Sequence, residues 1–158
     1  MPFQKQVNIL PNIAVAGDFA SANPRSAVVG GEGASYVATT AGVSVGKFAW
    51  ITGDTVASTG SGVPDGFVHR ENNALITTYL AETSNTILQG HPVAIFNKGD
   101  FYCTATVGAA VKGNKAFAQL TTGNVQFAAA GATVAGYIET PWTCVRACLV
   151  NELAVISL

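Results

Sequence analysis

Several groups of residues in this chain have types from which chemistry could be built. His69-Arg70-Glu71 sets a base, a cation and an acid side by side, and a hydrolase could join such a histidine to a serine and an acid drawn from elsewhere. Cys144 and Cys148 have the C-x3-C spacing of half a thiolate metal site, whose other half needs further Cys or His ligands. Gly30-Gly31-Glu32-Gly33 is glycine-rich in the manner of a phosphate-cradling loop, and Asp100, in Gly99-Asp100-Phe101-Tyr102, is a candidate site carboxylate. Trp50 and Trp142, with Phe48, Phe67, Phe101, Tyr102 and Phe117, could line a sugar-binding face by stacking.

Each group also has a plainer reading. Adjacent residues of an extended strand point to opposite faces, so His69, Arg70 and Glu71 do not converge there. They read better as a polar loop edge making local hydrogen bonds or intersubunit ion pairs. The glycine loop lacks the Lys-Ser/Thr ending that reaches phosphates and Mg²⁺. The three cysteines, Cys103, Cys144 and Cys148, are too few for a disulfide framework, and His69 and His91 lie far from them in sequence; reduced, buried thiols are expected. Lys98-Gly99-Asp100 is a turn signal in which Asp is favoured, and aromatics in β proteins more often fill the core. The expectation is a protein with no catalytic residues, no metal site and no cofactor.

The composition points away from the surface as well as away from chemistry. Of 158 residues, 49% are hydrophobic and only 11% charged, against about 25% charged in a typical soluble domain. Such a surface is built from small and weakly polar residues, and much of it is expected to be covered in an assembly. With 8 Lys+Arg against 9 Asp+Glu, the net charge of -1 leaves no basic stripe for phosphates, so nucleic acid is not an expected partner. The mean hydropathy of +0.34 raises the question of a membrane. The longest uncharged stretch, 116–138, is broken by Gly123, Asn124, Gln126 and Gly131 and alternates as strands do, unlike the ~20 apolar residues of a spanning helix. No membrane partner is expected, and the first residues lack the charged-then-apolar pattern of a secretory signal.

The elements that must position these residues read as all-β, a compact sandwich or barrel, of jelly-roll or another topology. Gly, Asn, Asp and Ser punctuate short runs rich in Val, Ile, Thr, Phe and Tyr. The pattern predicts strands over 43–51, 86–88, 93–97, 101–107, 115–121, 125–129, 133–139 and 153–158, with turns at 52–54, 98–100, 112–114 and 122–124. The turn signals of the second half resemble a meander. Two regions break the rhythm. Residues 11–24, bracketed by Pro11 and Pro24, suit an extended arm, which places an arm at 1–25 and one β domain at 26–158. Over 70–83, Leu75, Ile76, Tyr79 and Leu80 fit one face of a short helix, whereas Thr77-Thr78-Tyr79 favours a strand.

One resemblance runs through the first two thirds of the chain. The segment 1–8, Met-Pro-Phe-Gln-Lys-Gln-Val-Asn, and the run from Ala14 to Arg25 are similar to the N-terminus of the structural cement, or decoration, proteins of tailed-bacteriophage capsids. Val45-Gly46-Lys47-Phe48-Ala49-Trp50, then Gly66-Phe67-Val68-His69-Arg70-Glu71 with 74–80, then Gly90-His91-Pro92-Val93 with Gly99-Asp100-Phe101, resemble the family's later blocks in the same order. No single block is a chemical signature; their order carries the likeness. Tyr102 stands where tryptophan is usual, and His91 where an aromatic is common.

The resemblance implies a β-rich protein without enzymatic activity, made in the bacterial cytoplasm and bound to the outer surface of the expanded capsid. There it would bridge neighbouring major capsid protein subunits and associate with itself as a dimer or trimer. The implied contact residues are Phe3, Gln4, Lys5, Asp18, Phe19, Asn23 and Arg25 of the arm and His69, Arg70 and Glu71, with Phe3 and Phe19 as apolar anchors. A carbohydrate-binding adhesion module and a β-rich tail component are the alternatives; buried Trp50 and Trp142 would count against the first.

Overall fold

The computed structural model describes residues 14–30, 35–71 and 85–158. Phe3, Gln4 and Lys5, and nearly all of the 70–83 segment read as helix or strand, lie outside the described residues.

The described residues form strands and no helix: β1 (Ser26–Ala27), β2 (Val37–Ala38), β3 (Val43–Ser44), β4 (Phe48–Thr52), β5 (Thr55–Ala57), β6 (Gly66–Val68), β7 (Thr86–Ile87), β8 (Ile95–Lys98), β9 (Asp100–Val107), β10 (Lys115–Gln119), β11 (Val125–Ala128), β12 (Tyr137–Arg146) and β13 (Leu153–Ser157). The first eight build a six-stranded sheet, ordered β1-β8-β6-β4-β5-β2, and the small β3-β7 pair. The last five close into a barrel, ordered β10-β11-β9-β13-β12. The fold is all-β, and of the architectures left open the barrel is the one formed. Closure removes the unpaired edges that an open sheet would present. No helix among the described residues is long and apolar enough to cross a membrane.

Side-chain alternation explains how the layers stack. In β9, Phe101, Cys103 and Ala105 point into the barrel and are buried, while Tyr102, Thr104 and Thr106 between them are partly exposed. In β4 all of Phe48, Ala49 and Trp50 are buried, because its sheet is covered on both faces. Phe48 and Trp50 join Phe67, Phe101 and Trp142 in the core shared with the barrel. Ala49 and Val68 face the other way, into a second core with Val43, Val56, Val93 and Ile95. Phe67 sits at the centre of the shared core, with ring centroids 5.4 Å from Phe48, 5.3 Å from Phe101 and 6.2 Å from Trp142. These are the tilted and edge-on geometries that aromatic quadrupoles favour.

Several expectations need correction. The run 43–51 is not one strand: residues 45–47 turn between β3 and β4, with Gly46 at φ 71° and Ala16 packed so closely that a Cβ would lie 2.7 Å from it. Local β propensity lost there to a tertiary contact. The strand expected at 133–139 starts only at Tyr137 and runs on through Pro141 to Arg146. A central proline is tolerated because the β10–β12 register shifts there, Phe117 pairing with Glu139 and Lys115 with Thr143, while the Pro141 carbonyl accepts from Lys115 Nζ at 2.8 Å. The second half is not a meander, since β10 pairs β12 and β9 pairs both β13 and, in parallel, β11. The short strands β1, β2, β5 and β6 carry too few residues to show a period and were not anticipated.

Sheet and barrel are also joined through the backbone. The Phe48 amide donates to the Gly123 carbonyl in the β10–β11 turn at 2.9 Å. Gly123 has φ 68°, and a Cβ there would collide with the Phe48 carbonyl. Deleting the central ring should be costly: Phe67→Ala is expected to destabilise by about 3–5 kcal/mol in urea denaturation. Val63→Ala, at an exposed position, should stay within about 0.5 kcal/mol of the parent.

Candidate functional site

Of the residues singled out, Asp18 and Phe19 meet His69 and Arg70 at one junction, with Arg25 against Phe19. The carbonyl of Gly17 accepts from the Arg70 amide at 3.0 Å and from His69 Nδ1–H at 2.7 Å. One residue on, Asp18 Oδ1 accepts from Arg70 Nε at 2.7 Å, an ion pair with both side chains about three-quarters buried. His69 and Arg70 thus do converge, on the arm and not on a substrate, because the chain leaves β6 and is no longer extended.

Phe19 is the hub of the junction. Its ring stacks on His69 with centroids 3.9 Å apart and meets Phe96 and Phe101 at 5.4 and 5.2 Å. The guanidinium of Arg25 lies 3.8 Å from the ring centroid on the arm's return, a cation–π contact. The arm's backbone extends the barrel: the Gly17 amide donates to Tyr102 O at 2.8 Å, Tyr102 N to Asp18 O at 3.0 Å, and Ala20 N to Asp100 O at 2.8 Å.

A second staple lies one turn further along. Asp100 Oδ2 accepts from Ser21 Oγ at 2.5 Å and from Asn23 Nδ2 at 2.6 Å, and the carboxylate also bonds the side chain of Ser157. Sequence reasoning treated Asp100 as a turn residue and missed Gly17, Ser21 and Ser157 altogether. A polar residue opening a strand was the available signal, but its partners lie 79 and 77 positions away. Asn23 and Arg25 remain exposed at the rim, and Glu71 is exposed at the end of its run.

The electrostatics fit an anchoring role. Burial pushes the Asp18 carboxyl up, but the hydrogen bonds from Arg70 and the Val15 amide and the nearby positive charges outweigh it, leaving the carboxyl below its ordinary value. Asp100 is likewise held low against desolvation by its three side-chain donors. The thiols move the other way: burial raises Cys103 strongly and Cys144 and Cys148 less. A raised thiol is a poor nucleophile and metal ligand at neutral pH. Among the described residues no three His, Cys, Asp or Glu side chains group as metal ligands.

A cleft of about 300 Å³ opens between Ala16, Ser44, Lys47, Thr86, Thr104 and Asn124. Among the described residues its lining holds one titratable side chain, Lys47. Trp50 and Trp142 are 5% and 2% exposed, and Trp50 Nε1 donates to Gly62 O. Neither indole is available to stack on a sugar.

Residues 3–158 match the model of a family described as XM1 gp53 minor capsid protein. The chain belongs to that family. It is therefore a phage minor capsid protein, and its role is structural and capsid-associated. A solved chain from "The capsid of Myoviridae Phage XM1" has the same fold, with a TM-score of 0.72 at 18% identity over 99% of this chain and 97% of that one. No curated protein matches the sequence. The resemblance read from the N-terminal and central blocks is borne out at the level of a phage capsid-associated family.

The Asp18–Arg70 pair has a pH signature. A carboxyl whose folded pKa is depressed contributes stability above its unfolded value, ordinarily 3.8, and loses that contribution as pH falls through the lower folded value. Asp18→Asn is expected to lower stability by about 1 kcal/mol at neutral pH. The difference from the parent should close on acidification below the unfolded value, as followed by urea denaturation across a pH series.

Proposed function

We propose that this minor capsid protein is a cement protein: it binds the outer surface of the expanded head and bridges neighbouring major capsid protein subunits, strengthening the shell. The observation that carries the reading is the family match over nearly the whole chain. The surface chemistry supports it. A chain with 11% charged residues and eight exposed large aliphatic side chains among the described residues has the weakly charged faces that a permanent partner would cover.

In this reading the arm is the bridging device, and its anchored root is what makes the device effective. Residues Asp18, Phe19, Asn23, Arg25, His69 and Arg70 fix the arm to its own barrel, with Glu71 beside them at the surface. Phe3, Gln4 and Lys5 lie up to 15 residues before the root and would contact a capsid subunit or a sister copy, self-association as a dimer being favoured over a trimer. Two linked attachments raise avidity by roughly 10² to 10⁴ over either alone, which lets modest contacts hold a shell.

Co-sedimentation with expanded capsids that lack this protein tests the proposal. The full chain should bind saturably at a simple ratio to the major capsid protein, and absence of binding at micromolar concentration would overturn it; attachment to tails in place of heads would make it a tail component. Removing residues 2–13 should weaken capsid binding by about tenfold or more while leaving the melting temperature unchanged. Removing 2–25 should also lower the melting temperature, because it strips Asp100, His69 and Phe101 of their partners.

A further inference from the structure

Within the cement reading, we infer that the barrel seats on the capsid through one end, the paired loops 107–114 and 144–152, and that the surface it meets is apolar with an acidic rim. Five of the eight exposed large aliphatics among the described residues gather here: Val107, Val111, Val145, Leu149 and Val150, with Leu149 68% exposed. The two loops are zipped together. Ala110 and Cys148 exchange backbone bonds at 2.9 and 3.2 Å, Gly113 N donates to Cys144 O at 2.8 Å, Cys144 N to Asn114 O at 2.8 Å, and Asn151 N to Ala105 O at 2.8 Å. That pairing brings Val111 and Lys112 near Val145 and Arg146, and Val107 near Leu149 and Val150, so the five exposed aliphatics gather in a patch at one end of the barrel.

Charge and area select the occupant. Lys112 and Arg146 are exposed within the patch and form no ion pair among the described residues. One exposed acid lies near them, Glu152, whose carboxylate accepts from the Leu149 amide at 3.1 Å, so two cations stand against one anion. On a chain of net charge -1, this end is locally cationic. A two-fold pairing of copies through the patch would bring Lys112 and Arg146 of both copies into one interface, because an isologous interface uses the same surface twice, and like charges gathered in an interface are penalised. With Leu149 68% exposed and the four valines 42–55% exposed, the apolar surface of the patch is small beside the ~800 Å² per partner of a standard interface. It is too small to hold a dimer alone and sufficient as one attachment among several on a lattice. An apolar surface carrying carboxylates, repeated on the shell, satisfies both constraints.

The full chain is tested in co-sedimentation with expanded capsids lacking it, beside L149D/V150D, K112E/R146E and V63D, the last an exposed valine away from this end. Thermal melts establish that each variant is folded; the charge reversals touch only exposed ends and keep the test intact if the aspartates disturb the loop. Both double variants should lose about tenfold or more in affinity while V63D binds as the parent does, and the K112E/R146E deficit should shrink at high salt as screening removes the repulsion. Folded double variants that bind like the parent would overturn the inference and leave the cement reading standing. A double variant that changes self-association in sedimentation velocity without changing capsid binding would overturn it in favour of a second copy. Failure of the parent to bind defeats the cement reading and this inference with it.

Discussion

Phe67 packs between Phe48, Phe101 and Trp142, and almost every other feature of the molecule depends on that contact. Phe48 and Phe67 come from the sheet, Phe101 and Trp142 from the barrel, so the block is where two separately hydrogen-bonded β systems become one body. Rings can do this where aliphatics would not, because each covers a large area with few rotamers to freeze. The backbone bond from Phe48 to Gly123 ties the same two parts at the edge of the block. The shared core thereby holds surfaces on the sheet and on the far end of the barrel in a fixed relation.

The arm's root is built on the rim of that block. Phe101 faces the core on one side of β9 and meets Phe19 beside it, so the apolar centre extends without interruption into the stack of Arg25, Phe19 and His69. The polar groups around it are spent inside the molecule: Asp18 on Arg70, His69 on the Gly17 carbonyl, Asp100 on Ser21, Asn23 and Ser157. His69 and Arg70, which could be mistaken for catalytic machinery, are thereby a clasp. Its charge-assisted bonds are partly buried, which makes them stronger than surface pairs and sensitive only to strongly acidic conditions.

Low overall charge and locally segregated charge have separate consequences. A surface with few ions favours broad, shape-matched contact, with little long-range steering and modest dependence on salt. At the Lys112–Arg146 end two exposed cations stand beside a cluster of exposed aliphatics. Among the described residues the exposed large hydrophobic side chains are all valines and leucines.

The all-β class, the turns at 52–54, 112–114 and 122–124, the strand over most of 101–107 and the phage-capsid kinship were all legible in the sequence, because each rests on local residue types or on a long ordered run of blocks. The meeting of Asp18 with Arg70, 52 positions apart, was not, nor were the closure of β9 against β13 and β11, the proline carried through β12 at a register shift, or the break at Gly46. Those features depend on which strands become neighbours, and pairing is chosen by the shared aromatic core over separations that no local period encodes. The sequence by itself determined the kind of surface and the kind of element; only the tertiary structure decided that His69, Arg70 and Asp100 hold the arm, because a hydrogen bond's partner is set by position in space and not by position in the chain.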